Sequence, residues 1–229
     1  MPITTCIFDA YGTLFDVASA ARELAEQQGQ EDFAKHAAKL SSDWRLKQLQ
    51  YTWLRAITGA HTDFWQVTQD GLDYALEASG LSGDEVLRET LLALYWELQA
   101  YPEVPKVLND LKAQGKTVAI LSNGSPAMLK GAVDRAELNG LLDGVLSVES
   151  VGVFKPHASV YELVGKTFGC SSKEVLFVSS NGWDAAGAAG FGFQTVWVNR
   201  AGEPMDRLPW TPQTVIPDLT SVPELATTL

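Results

Sequence analysis

Four short stretches of this chain hold residue types that covalent chemistry needs. They are Asp9 and Thr13 in FDAYGTLFD, Ser122 and Asn123 in LSNGSP, Lys155 in FKP, and Ser179, Asn181 and Asp184 in FVSSNGWDAAGA. An aspartate carboxylate can act as a covalent nucleophile if it is kept ionised and aimed. Thr13 offers a hydroxyl to orient Asp9, and Gly12 offers a turn. Lys155 offers a cation, and a nearby ammonium lowers a carboxylate pKa and fixes its position. Asp184 offers a second carboxylate beside that lysine. Each residue also has a plainer use. Asp9 is a fair turn former, Lys155 a fair solvated loop residue, and Asp184 a fair first-turn helix stabiliser.

The elements around these residues decide between the uses. Apolar, β-leaning runs occur at Ile3–Phe8, Thr117–Leu121, Val145–Val148, Val175–Val178 and Thr195–Val198. Helical patterns lie between them, near Val104–Gln114, Ala127–Ala136, Ser159–Phe168 and Trp183–Gly190. Alternating strands and helices predict a parallel sheet covered on both faces. Asp9 follows the first run, Ser122 and Asn123 the second, Lys155 and Pro156 the third, and Ser179, Ser180 and Asn181 the fourth. Ligands of open α/β sheets bind at that carboxyl edge, so four clusters converge on one place. From about Asp16 to Gln99 the pattern is almost continuous helix, with Trp, Leu and Tyr at helical spacing. The expected fold is α/β: a parallel-sheet core of 1–15 and 100–229, with a helical cap of 16–99 inserted after the first strand. Pro102 and Pro105 mark the return to the core.

Composition narrows the class. The chain has 229 residues and is 46% hydrophobic, enough for a real core. No apolar run reaches the roughly 20 residues of a membrane span, and the start MPITTCIFDAYG lacks a basic n-region. Cys6 and Cys170 are the only cysteines, without a CxxC or Cys/His cluster, which argues against a disulfide scaffold or structural zinc and fits a reducing cytoplasm. Cys6 sits in an apolar run and is expected to be plain core. The formal net charge of −11 repels nucleic acid and anionic membranes. It also repels a small anionic substrate, so local cations such as Arg45 and Lys155, or backbone amides, must offset it.

FDAYGTLFD, WRLKQLQYTWLR, LSNGSP, FKP with VYEL, and FVSSNGWDAAGA together resemble the L-2-haloacid dehalogenases of the haloacid dehalogenase superfamily. The resemblance runs over nearly the whole chain and implies a Rossmann-like core with a helical cap. It implies SN2 displacement of halide from C2 of a short 2-haloalkanoic acid by Asp9. Water then attacks the Asp9 carbonyl carbon of the ester and yields a 2-hydroxy acid of inverted configuration. By the same resemblance, Thr13 and Lys155 orient Asp9. Ser122, Asn123 and the amides after Asp9 hold the substrate carboxylate. Arg45 and Asn181 cradle the halide, while Tyr161, Ser179 and Asp184 support Lys155 and the hydrolytic water. Tyr11, Leu49, Phe64 and Trp183 wall the alkyl group. No cofactor or metal is implied, and a homodimer is. In one place the chain departs from the pattern: Leu46 stands where the family more often has Gln after the Trp-Arg pair, which is expected to make the pocket less polar there.

The runner-up is a magnesium-dependent phosphatase on the same fold. Such enzymes resemble this chain but carry Asp two residues after the nucleophile, where this chain has Tyr11. They also carry Gly-Asp where it has Ser179-Ser180. Mg²⁺ normally takes carboxylate oxygens, and a departing halide needs neither acid nor metal. A non-catalytic binding protein on this scaffold is a third reading. The set of Asp9, Arg45, Lys155, Asn181 and Asp184 argues against it.

Overall fold

The computed structural model describes residues 1–27 and 31–229. Its centre is a six-stranded sheet, β1 (Thr5–Phe8), β2 (Thr117–Ser122), β3 (Gly144–Ser147), β4 (Val175–Ser179), β5 (Gln194–Val198) and β6 (Thr214–Ile216). The order is β3-β2-β1-β4-β5-β6, and every pairing is parallel. β1 and β4 are buried along their whole length, as expected for strands covered on both faces. The five strands expected from apolar runs all form, with ends shifted by one or two residues. β6 is additional: three residues flanked by Pro212 and Pro217 give too short a run to separate from a turn.

Helices α1 (Ser19–Ala25), α2 (Glu31–Thr58), α3 (Phe64–Ala78) and α4 (Glu85–Trp96) fill the insertion between β1 and β2. Aspartates cap two of them, Asp63 accepting from the Gln66 amide and Asp84 from the Leu87 amide. The chain enters and leaves this segment side by side. The Asp16 amide donates to the Gln99 carbonyl, and the Tyr101 amide to Leu14, both at 2.9 Å. The remaining helices are α5 (Val104–Ala113), α6 (Pro126–Arg135), α7 (Ala158–Phe168), α8 (Gly182–Phe191) and α9 (Val222–Thr228). Four of these match the helical patterns read from sequence, and α9 is additional. Cys6 is wholly buried, and burial pushes its thiol up to about 12, so it is inert core.

Register sets the site. Phe8 of β1 pairs with Ile120 of β2 on one side and Val178 of β4 on the other. One residue further, Asp9 leaves the sheet between the ends of both neighbours, its amide donating to the Val178 carbonyl at 2.9 Å. Ser122 ends β2 and Ser179 ends β4, so the polar clusters share one edge.

Candidate active site

Asp9 and Lys155 lie 146 residues apart in sequence yet form a buried ion pair. Lys155 Nζ donates to Asp9 Oδ1 at 3.0 Å and to Asp184 Oδ2 at 2.8 Å. The lysine is 1% exposed, Asp9 6% and Asp184 0%. Burial alone would pull the lysine pKa down. The charges and hydrogen bonds of Asp184 and Asp9 outweigh it and hold Lys155 above its usual value, so it stays an ammonium. Tyr161 donates to Asp184 Oδ1 at 2.8 Å. It reaches that far because residue 187 is glycine, where a Cβ would lie 2.8 Å from both the Tyr161 hydroxyl and Pro156 Cβ. Burial and the Asp184 charge push the Tyr161 phenol well up, so it remains a donor.

The second Asp9 oxygen faces neutral donors. Oδ2 accepts from Asn181 Nδ2 at 2.8 Å, Thr13 Oγ1 at 3.2 Å and, more loosely, Ser179 Oγ at 3.5 Å. With the lysine, this is a donor set suited to a carboxylate, which only accepts. Thr13 is fixed from behind by the Ser180 amide at 2.8 Å. The turn that carries it needs Gly12 at φ 88°, a conformation side-chain-bearing residues avoid. Asn181 stands at the N-cap of α8, where asparagine ordinarily caps with its side chain. Here the side chain makes no cap bond. It gives Nδ2 to Asp9 and accepts from Arg45 Nη2 at 3.1 Å through Oδ1. That cap bond, worth about 1 kcal/mol, is forgone here.

Arg45 arrives from α2, within the insertion. Besides Asn181 it donates to the Tyr11 carbonyl at 3.2 Å through Nη2 and to Gln48 Oε1 at 2.9 Å through Nη1. Leu49 is one turn along the same face of α2 and half-buried. Trp53 lies one turn further and meets Trp183 edge-on, ring centroids 5.4 Å apart. The Tyr11 ring lies 5.7 Å from Phe64 and 5.8 Å from Tyr95, and Phe64 lies 6.3 Å from Phe154, the neighbour of Lys155. Ser122 Oγ accepts from the Gly124 amide at 3.0 Å and keeps its own proton to give. Asn123 Oδ1 accepts from the Lys155 amide at 3.0 Å, which leaves both Nδ2 protons outside that bond. Of the expected residues, Thr13, Lys155, Ser179 and Asn181 bond Asp9 directly, Asp184, Tyr161 and Arg45 connect to it through Lys155 and Asn181, and Tyr11 and Phe64 pack together, whereas the contacts described tie none of Ser122, Leu49 and Trp183 to Asp9.

Leu46, expected to make the pocket less polar, is 49% exposed on α2. The amide that meets Arg45 comes from Gln48, two residues on. Sequence reasoning also missed Gln48, Tyr95, Thr68 and Trp53. The i+3 and i+8 spacings of Gln48 and Trp53 from Arg45 were the available signal.

The donor set does not fit a divalent cation between Asp9 and Asp184. Lys155 Nζ already bridges the two carboxylates. Tyr11 stands where a general acid would be, and burial with the Tyr95 and Asp9 charges pushes its phenol well up. Ser180 brings a hydroxyl that hydrogen bonds with Thr13.

Relatives place this geometry in a family. A family model for haloacid dehalogenase-like hydrolases matches residues 3–192. The (S)-2-haloacid dehalogenase 1 of Pseudomonas sp. strain CBS-3 is 45% identical over 205 residues, covering 90% of this chain and 88% of its own. The structure of the L-2-haloacid dehalogenase of Xanthobacter autotrophicus with covalently bound chloropropionic acid superposes with a TM-score of 0.89 at 36% identity, over 99% of both chains. A dehalogenase structure described as an intermediate complex gives 0.92 at 37% identity, over 99% of this chain and 98% of that one. The chain belongs to the haloacid dehalogenase-like hydrolases and, within them, to the (S)-2-haloacid dehalogenases, hydrolases of carbon–halide bonds.

Proposed function

We propose that this enzyme converts short (S)-2-haloalkanoic acids to (R)-2-hydroxy acids through an ester on Asp9. The supporting observation is the donor set around one buried carboxylate, with Lys155 on one oxygen and Asn181, Thr13 and Ser179 on the other. An Asp9 oxygen attacks C2 from the face opposite the halogen. The C–O bond forms as the carbon–halogen bond breaks, and halide leaves with the electron pair. Arg45 and the Asn181 amide meet the charge that develops on the halide, where fixed donors in a dry site act most strongly. Ser122, Asn123 and the amides after Asp9 hold the substrate carboxylate, and Tyr11, Leu49, Phe64 and Trp183 enclose the alkyl group. Water, supported by Asp184, Ser179 and Tyr161, then adds to the Asp9 carbonyl carbon. The hydroxy acid leaves and the carboxylate returns. The balance is one water consumed and one halide and one proton released.

The division of labour proposed is a core of 1–15 and 100–229 that carries the nucleophile and a cap of 16–99 that carries Arg45. The exposed Leu46, Leu54 and Ile57 of α2 offer an apolar face for a homodimer. Unpaired Cys6 and Cys170 suit a reducing cytoplasm. Among the described residues no helix is long and apolar enough to cross a membrane. The net charge of −11 disfavours nucleic acid as a partner.

The stereochemical test is direct. One backside attack inverts C2, and attack on the Asp9 carbonyl leaves C2 untouched. L-2-Chloropropionate should give D-lactate with stoichiometric chloride, and the D enantiomer should be a poor substrate. Chiral analysis showing retention, or equal turnover of both enantiomers, contradicts the pocket proposed.

Metal independence is the second expectation, because Tyr11 and Ser180 replace the carboxylates a cation would need. Halide release should survive dialysis against chelator. A large loss that Mg²⁺ restores would return the phosphatase reading to contention.

A further inference from the structure

Arg45 is held from behind by Gln48, a residue in none of the roles above. Gln48 is wholly buried on α2 and accepts from Arg45 Nη1 at 2.9 Å through Oε1. Its Nε2 donates to Thr68 Oγ1 at 2.8 Å and to the Tyr95 hydroxyl at 3.0 Å. The Thr68 hydroxyl has one proton, and its donor bond runs to the Phe64 carbonyl at 2.7 Å, one turn back on α3. Thr68 therefore only accepts from Gln48. That fixes which end of the amide is which: NH₂ toward Thr68 and Tyr95, carbonyl toward the guanidinium. A flipped amide would press its N–H groups against those of Arg45 and leave Thr68 Oγ1 facing an oxygen. The amide is held against three elements, and its oxygen accepts from Arg45 at 2.9 Å and, more loosely, from the Tyr95 hydroxyl at 3.4 Å.

We propose that Gln48 is a positioning residue that aims Arg45 at the departing halide, with Thr68 as the group that sets its orientation. The proposal rests on the reading that Arg45 meets the halide. Arg45 has few alternative anchors: its other bonds go to Asn181 Oδ1 and the Tyr11 carbonyl, both through Nη2. Without the Gln48 acceptor, Nη1 loses its bond and the guanidinium plane can turn about the Nη2 contacts. A guanidinium acts through the fixed geometry of its N–H fork, so a turned plane grips a departing anion less well even with its charge unchanged.

The test uses Gln48→Met, which keeps the bulk and removes the acceptor, and Thr68→Val, which is close to isosteric and frees the amide to flip. Single-turnover halide release is measured for 2-chloro- and 2-bromopropionate, so that ester hydrolysis does not mask the step. Gln48→Met should slow chloride release about tenfold or more, the scale of a lost hydrogen bond to a charged group. KM should move little, because the substrate carboxylate is held elsewhere. The bromide-to-chloride rate ratio should rise, since the poorer leaving group depends more on the grip. Thr68→Val should shift that ratio in the same direction and carries the test if Gln48→Met does not fold. In an Arg45→Ala background, Gln48→Met should add almost nothing further. A purely structural Gln48 would lower thermal stability, leave the ratio as in the parent and multiply its loss onto that of Arg45→Ala. That pattern overturns the proposal and leaves the halide role of Arg45 standing. Near-normal chloride release in Arg45→Ala alone removes the halide role itself, and the proposal with it.

Discussion

Asp9→Asn should bring turnover down by on the order of 10⁶-fold, the scale seen when an enzyme's nucleophile is removed. The substitution preserves shape and leaves Lys155 its bond to Asp184 at 2.8 Å. A carboxamide has no anionic oxygen to attack carbon, and one of its two ends is now a donor. On the Oδ2 side it would meet Asn181 Nδ2, Thr13 and Ser179, all of them donors in the parent. The loss should fall on kcat, with the folded structure retained by circular dichroism and urea midpoint. Activity within about a hundredfold of the parent, far above the loss expected for a missing nucleophile, would show that Asp9 does not carry the reaction.

Lys155→Met should damage both activity and stability, because it leaves two buried carboxylates without their cation. Removing one partner of a buried pair typically costs about 3–5 kcal/mol at neutral pH. Turnover should drop roughly 10³-fold as well, since the nucleophile loses the ammonium that fixes and stabilises its anion. The pH dependence has a definite sign. Burial and the Asp9 charge already hold the Asp184 carboxyl above its ordinary range, against the opposing pull of Lys155. Without the lysine that opposition is gone and the folded pKa rises further. A group with a raised folded pKa contributes stability that is complete below its ordinary value, about 4, and is lost as pH rises through the folded one. Lys155 itself stays charged throughout the acidic range in the parent. The variant's deficit should thus be largest at neutral pH and shrink toward pH 5, as urea unfolding of both proteins will read. A deficit that widens on acidification would contradict the pair as described.

Much of the fold and the site is legible in the sequence. The strands buried on both faces are uninterrupted apolar runs, and the residues just after each run are polar, so CIFD and FVSSN announce both the sheet and its working edge. Asp9 and Ser179 meet because the neighbouring parallel strands β1 and β4 end together once register is set, while Lys155 reaches them from the loop between β3 and α7. The less legible parts depend on how helices turn. Gln48 is one polar residue among several on α2, and nothing local marks it as buried where Lys47 and Gln50 are partly open. Its partners Thr68 and Tyr95 come from α3 and α4, so the network exists only after three helices pack. Gln48 stands three residues from Arg45, about 60° around the helix, whereas Leu46, its neighbour in sequence, lies about 100° away. The side chain of Asn181 is the converse case. Its position at a helix start suggests a cap, and tertiary contacts with Asp9 and Arg45 take it away.

Inactivation of Asp9 variants does not by itself distinguish a nucleophile from a general base that activates water, and both routes invert C2. The origin of the new oxygen does. With enzyme in excess over L-2-chloropropionate in H₂¹⁸O, a single turnover through the ester should release unlabelled lactate, because its hydroxyl oxygen was a carboxylate oxygen of Asp9. The heavy isotope should then appear in the peptide around Ile7–Leu14. Labelled lactate from a verified single turnover, with that peptide unchanged, would contradict Asp9 as the nucleophile.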